Sequence, residues 1–98
     1  MAEVRWTPQA IGDLDAITNF IAQDSPHFAS LFVLDVFAAV ERLDLFPQSG
    51  RVVLEKNDPQ IREILLGNYR IIYRLRDEVA ELFTIHHGAR LLDPTRLG

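Results

Sequence analysis

The sequence predicts an α+β fold: an N-terminal strand, a two-helix hairpin, then a mostly antiparallel β-meander sheet. Three observations carry this. Apolar residues recur at helical spacing as far as Leu45 and at a spacing of two after Gly50. Thr7-Pro8 and Ser25-Pro26 each join a capping hydroxyl to a proline suited to the first helical position. Gly67-Asn68 separates two apolar runs by the two residues of a tight hairpin. Such an order buries its apolar surface by laying both helices on one face of the sheet.

Taken in order, Val4-Arg5-Trp6 reads as a short first strand. The first helix is expected over residues 8 to 23, with Ala10, Leu14, Ile17 and Ile21 on one face. The second runs from Pro26 to about Leu45, where Phe46-Pro47-Gln48-Ser49-Gly50 breaks it. Ala29, Phe32, Val33, Val36, Phe37, Val40 and Leu43 give it a wide apolar stripe, and Leu31, Leu34 and Ala38 a narrower one on the far side. One face belongs on the sheet. The other needs the first helix or a partner protein to cover it.

Beyond Gly50, Arg51 to Leu54 can form a short strand and Glu55 to Gln60 a polar loop. Ile61 to Leu66 and Tyr69 to Leu75 form the hairpin, and Asp77-Glu78 turns into a last strand, Val79 to His86. With Gly67-Asn68 as the turn, Leu66 opposes Tyr69, Ile64 opposes Ile71 and Arg62 opposes Tyr73. One face then carries Arg62, Ile64, Leu66, Tyr69, Ile71 and Tyr73. The other, less core-like, carries Ile61, Glu63, Leu65, Arg70, Ile72 and Arg74. The register of the last strand stays open, because one residue more or less in the turn flips it.

A chain of 98 residues makes one domain, 1–98, with a single core. The absence of cysteine removes disulfides, thiolate metal sites and thiol nucleophiles. No apolar run is long enough to span a bilayer, and the first residues lack a signal-peptide layout, so a cytoplasmic protein is expected. The net charge is −4. It is divided unevenly: residues 1–50 hold two arginines against seven acids, residues 51–98 eight basic residues against seven acids. An anionic partner should therefore meet the second half. A dedicated nucleic-acid binder is usually far more basic.

Five segments in order resemble the RelE/ParE toxin superfamily. They are Trp6-Thr7-Pro8-Gln9-Ala10 with Asp13-Leu14; Leu45-Phe46-Pro47 with Gly50-Arg51; Arg62-Glu63-Ile64; Gly67 to Tyr73; and His87-Gly88-Ala89-Arg90. The resemblance implies the toxin of a type II toxin–antitoxin pair, neutralised in a hetero-oligomer by an antitoxin whose C-terminal segment wraps it, with no cofactor. Leu31, Leu34 and Ala38 are then the candidate antitoxin contacts. ParE-like members poison DNA gyrase; RelE-like members are endoribonucleases that cut mRNA on the ribosome.

For the nuclease branch the resemblance implies Arg62, His87 and Arg90 as the catalytic set. Such cleavage needs a base, an acid and a cation for the phosphate. The plainer account of Arg62 is a half-buried arginine stacked on Tyr73 or paired with Glu81. Glu55 and Lys56 occupy a loop where nuclease members carry charged groups, and a solvated loop explains them as well. His86 and His87 are adjacent on a strand, so they diverge and make a poor metal pair, one packed and one exposed. The chain lacks a lysine cluster and a tyrosine after Arg90. Its His-Gly-Ala-Arg ending is more like ParE members, in which Arg90, Leu91 and Leu92 would meet the target.

Overall fold

The computed structural model describes residues 2–88. Strand β1 (Glu3–Trp6) leads into helix α1 (Pro8–Asp24) and helix α2 (Pro26–Leu45). The strands β2 (Arg51–Val52), β3 (Ile61–Leu66), β4 (Tyr69–Arg76) and β5 (Val79–His87) follow. They form one sheet in the order β1-β5-β4-β3-β2, with β1 parallel to β5 and the other pairs antiparallel.

Each helix start has the expected chemistry. Thr7 Oγ1 accepts the Ala10 N–H at 3.1 Å and itself donates to the Leu82 carbonyl at 2.7 Å, so one hydroxyl caps α1 and ties it to β5. Ser25 serves both helices. Its N–H closes α1 on the Ile21 carbonyl, and its Oγ accepts the Phe28 N–H at 3.1 Å to open α2. A single shared residue makes the interhelical turn tight, and α1 and α2 lie against each other.

The hairpin register is as the sequence predicts: Leu66 opposes Tyr69, Ile64 opposes Ile71, Arg62 opposes Tyr73. Gly67 has φ +57°, the conformation a hairpin of this kind asks of its first turn residue. Ala10, Phe32, Val36, Ala39, Val40, Leu43, Ile71, Tyr73, Ala80, Leu82 and Ile85 form the core between helices and sheet. The opposite face is more buried than the sequence suggests. Val53, Ile61, Ile72 and Phe83 make a second apolar cluster there. Two departures account for it. After the short strand that ends at Val52, Val53 lies beside Ile61 on this face, its N–H bonded to Ile61 O, and the loop that follows folds back over the face, where Glu55 meets Arg70, and closes at Leu75 N–H to Gln60 O. β5 also carries a bulge: Ile72 faces Thr84 but Tyr73 faces Leu82, leaving Phe83 as the extra residue.

β1 covers only residues 79–82 of β5. Beyond that point α1 covers the edge with side chains. Gln9 Nε2 donates to the Phe83 carbonyl at 2.9 Å, and the Asp13 carboxylate accepts from the Ile85 N–H at 3.2 Å and from the Thr84 hydroxyl. The Thr7-Pro8-Gln9 and Asp13 positions therefore satisfy backbone groups that would otherwise lie open at a strand edge.

Candidate functional site

The sequence brings Arg62 forward first. It lies on the helix side of β3, opposite Tyr73. Its Nη1 donates to the Gly50 carbonyl at 2.9 Å and the Gln48 carbonyl at 3.3 Å. Tyr73, fully buried, works on the same loop: its hydroxyl donates to Pro47 O at 2.7 Å and accepts from Gly50 N–H at 3.0 Å. Burial raises its phenol above the ordinary pKa, despite the Gly50 bond and the nearby Arg62 charge. Gly50 has no room for a side chain, since a Cβ would come within 2.8 Å of the Glu63 carbonyl. Arg62 thus fastens the loop that follows α2. Its bonds are to loop carbonyls, not to Glu81.

On the outer face a residue that sequence reasoning passed over is central. Arg70, on β4, makes a bidentate pair with Glu55, at 2.7 and 2.9 Å, and meets Glu63 at 2.6 Å. Arg51 closes the chain on Glu63 at 2.5 Å. The side chains of Glu63 and Arg70 are 2% and 9% exposed, so their charges are satisfied within the network. The Arg70 bonds hold the Glu55 carboxyl down at a pKa of about 2, and the same bonds raise the Arg70 guanidinium further. Glu55 is therefore an ion-pair anchor within an exposed loop; Lys56 beside it is half-buried. The signal was available: Leu65 opposes Arg70, which makes Glu63 and Arg70 diagonal neighbours on one face. The contribution of Glu55 was not legible, because it depends on how the loop folds back.

The two histidines diverge as expected. His86 lies across from Arg70 and is buried, while His87 lies across from Tyr69 and is half-buried, its ring edge-on to that phenol at 5.3 Å. A pocket of about 350 Å³ opens beside this end of the sheet, lined by Arg51, Glu55, Glu63, Tyr69, Arg70 and His87 among others. Of the implied catalytic set, Arg62 and His87 lie on β3 and β5 with β4 between them. Arg90, Leu91 and Leu92 lie outside the described residues. Among the described residues no three of His, Cys, Asp or Glu gather in a way that could hold a metal ion.

The second site is the far side of α2. Leu31, Leu34 and Ala38 are all exposed, Leu34 at 64%, and Leu45 extends the row. The buried residues of α2 occupy the opposite face. The narrow stripe is thus not packed on α1 and faces outward.

A family model described as the ParE toxin of the type II toxin–antitoxin system, parDE, matches residues 4–92. The chain belongs to this family. It is 35% identical over 92 residues to "Toxin RelE2" of Caulobacter vibrioides, covering 93% of this chain and 100% of that protein. Among solved structures it is similar to the chromosomal ParDE system from P. aeruginosa, with a TM-score of 0.72 and 23% identity over 89% of this chain and 96% of that one. It is also similar to the RelBE2 toxin–antitoxin complex from Mycobacterium tuberculosis, with a TM-score of 0.57 and 21% identity over 88% and 96%. Those two likenesses show the fold. The protein is thus a toxin of the type II class, and the names of its relatives divide between ParE and RelE. No helix among the described residues is long and apolar enough to cross a membrane.

Proposed function

We propose that this chain is a ParE-like toxin that arrests growth by binding DNA gyrase, without bond-making chemistry of its own, and that a cognate antitoxin restrains it by covering α2. The engagement of the described cations supports this reading. Arg62 is spent on loop carbonyls, and Arg70 and Arg51 are spent on carboxylates. A phosphate approaching Arg62, Arg70 or Arg51 would compete with those partners, and a net charge of −4 adds no steering toward RNA. The antitoxin half of the proposal stands on the exposed Leu31, Leu34, Ala38 and Leu45 row, an amphipathic-helix groove partner's natural footing.

One observation favours the alternative, a RelE-like ribosome-dependent mRNA interferase. Arg62 Nε is buried and makes no hydrogen bond among the described residues, so the guanidinium keeps a donor for a ligand. The two readings part cleanly in cells. Expression of the toxin should induce a DNA-damage response and leave ribosome-bound mRNA uncut. Robust A-site cleavage by the purified protein would reverse the assignment. Leu34→Asp should weaken the antitoxin complex while the free toxin stays folded, and unchanged affinity would move the antitoxin elsewhere.

A further inference from the structure

We propose that the free edge of β1, with the groove beside it on α2, is a strand-addition site for an extended segment of a partner protein that is apolar and basic. β1 has a neighbour on one side only. On that side the Glu3 and Thr7 N–H groups donate to the Glu78 and Leu82 carbonyls. The alternation of a strand then turns the Val4 and Trp6 N–H groups outward. Ala2, which points the same way, donates to the Asp44 carbonyl at 2.9 Å, but among the described residues no acceptor meets Val4 or Trp6. An edge with open donors is a template for another strand.

The groove along this edge has a volume of about 460 Å³. Its floor is apolar, with Val4, Trp6 and Phe37, the two rings 5.8 Å apart. Its rim is acidic, with Glu3, Glu41 and Asp44. Glu3 is paired with Arg5, while among the described residues no cation is within ion-pair distance of the side chains of Glu41 and Asp44. The floor asks for apolar side chains at alternate positions of an extended segment, and the rim asks for lysine or arginine. A second copy of this chain fits poorly. Pairing β1 antiparallel to itself, Val4 against Trp6, sets Arg5 opposite Arg5 and brings the acidic rims together. The groove joins the Leu34 row through Glu41, so one partner can cover both. Only the source of the segment rests on the antitoxin reading; the site itself does not.

The test uses the full chain and a short acetylated peptide alternating valine with lysine and arginine. The chain has a single tryptophan, Trp6, so its emission reports the groove directly. The peptide should shift that emission saturably and slow exchange of the Val4 and Trp6 amides. Its glutamate counterpart should bind at least about tenfold more weakly, as should the basic peptide to Glu41→Lys/Asp44→Lys. A peptide N-methylated at alternate residues should fail while keeping the charge. Equal binding of both charge forms, no saturable binding, or a Trp6 change that tracks protein concentration without peptide would each overturn the proposal. Leu34→Asp leaves this titration unchanged, so failure of the groove and failure of the antitoxin reading are separable.

Discussion

Glu63 sits almost wholly out of water and accepts from two guanidinium groups, and Arg70 is the buried one. Removing Arg70 leaves that carboxylate with Arg51 alone, whose side chain is 61% exposed. Breaking a buried pair from one side leaves an uncompensated charge, so Arg70→Ala should cost about 3 kcal/mol in denaturant unfolding. Arg70→Met combined with Glu63→Leu should recover most of that loss, because both charges go together. If the double variant is as unstable as the single one, packing of the arginine stem matters more than charge. Glu55 gives the same network a pH dependence. Its pKa falls from the ordinary 4.5 to about 2, chiefly through the Arg70 hydrogen bonds. The depressed pKa means the pair contributes fully above pH 4.5 and is lost as pH falls toward 2. Wild-type melting temperature should therefore drop across that window. Glu55→Gln should melt lower at neutral pH and show a flatter acid limb; identical slopes for both proteins would assign the acid sensitivity to other carboxylates.

At the scale of elements, the junction of α1 with β5 is held by side chain to backbone bonds as well as by apolar packing. Asp13 accepts from the Ile85 N–H and the Thr84 hydroxyl where β1 has run out. Asp13→Ala strands a buried donor and should cost about 1–3 kcal/mol, with faster hydrogen exchange at Ile85. Asp13→Asn keeps an acceptor and should cost less; equal losses would mean that the carboxylate's charge is what matters. This junction also marks how much the sequence reveals. Helix starts at Thr7-Pro8 and Ser25-Pro26 and the β3–β4 register are local patterns and are legible, as are the helical faces except at Phe37, which the stripe places in the core but which is half exposed beside Trp6. The register of β5 is not, because the bulge at Phe83 answers to packing against Val53, Ile61 and Ile72. The role of Asp13 depends on β1 ending at Trp6, a fact of topology. Of the candidate sites, the Leu31, Leu34 and Ala38 row could be read from spacing alone. The engagement of Arg62 could not, since its partners are carbonyls of a loop that Tyr73 positions from another strand.

At the scale of the whole molecule, the fold is nearly as compact as a globular domain of its size. Its radius of gyration is 13.0 Å, against ~12 Å expected of a compact chain of about 87 residues. The last backbone bond described, Gly88 N–H to the Asn68 carbonyl at 2.7 Å, closes β5 onto the β3–β4 turn. In the ParE-like reading the segment with Arg90, Leu91 and Leu92 carries contact with the target, whereas the antitoxin meets α2. Deleting residues 91–98 should then abolish growth arrest, spare antitoxin binding and leave the melting temperature within a few degrees of wild type, a loss of less than about 1 kcal/mol for a domain of this size. Three measurements on one truncated protein decide the matter: thermal melting, a growth assay and antitoxin capture. A large fall in melting temperature would make Leu91 and Leu92 part of the core and remove the claim that toxicity and folding are separable at this end of the chain. Full growth arrest by the truncated protein would place the target contact on the sheet itself, beside His87 and Arg70, where the outer-face variants then become the next ones to assay for toxicity.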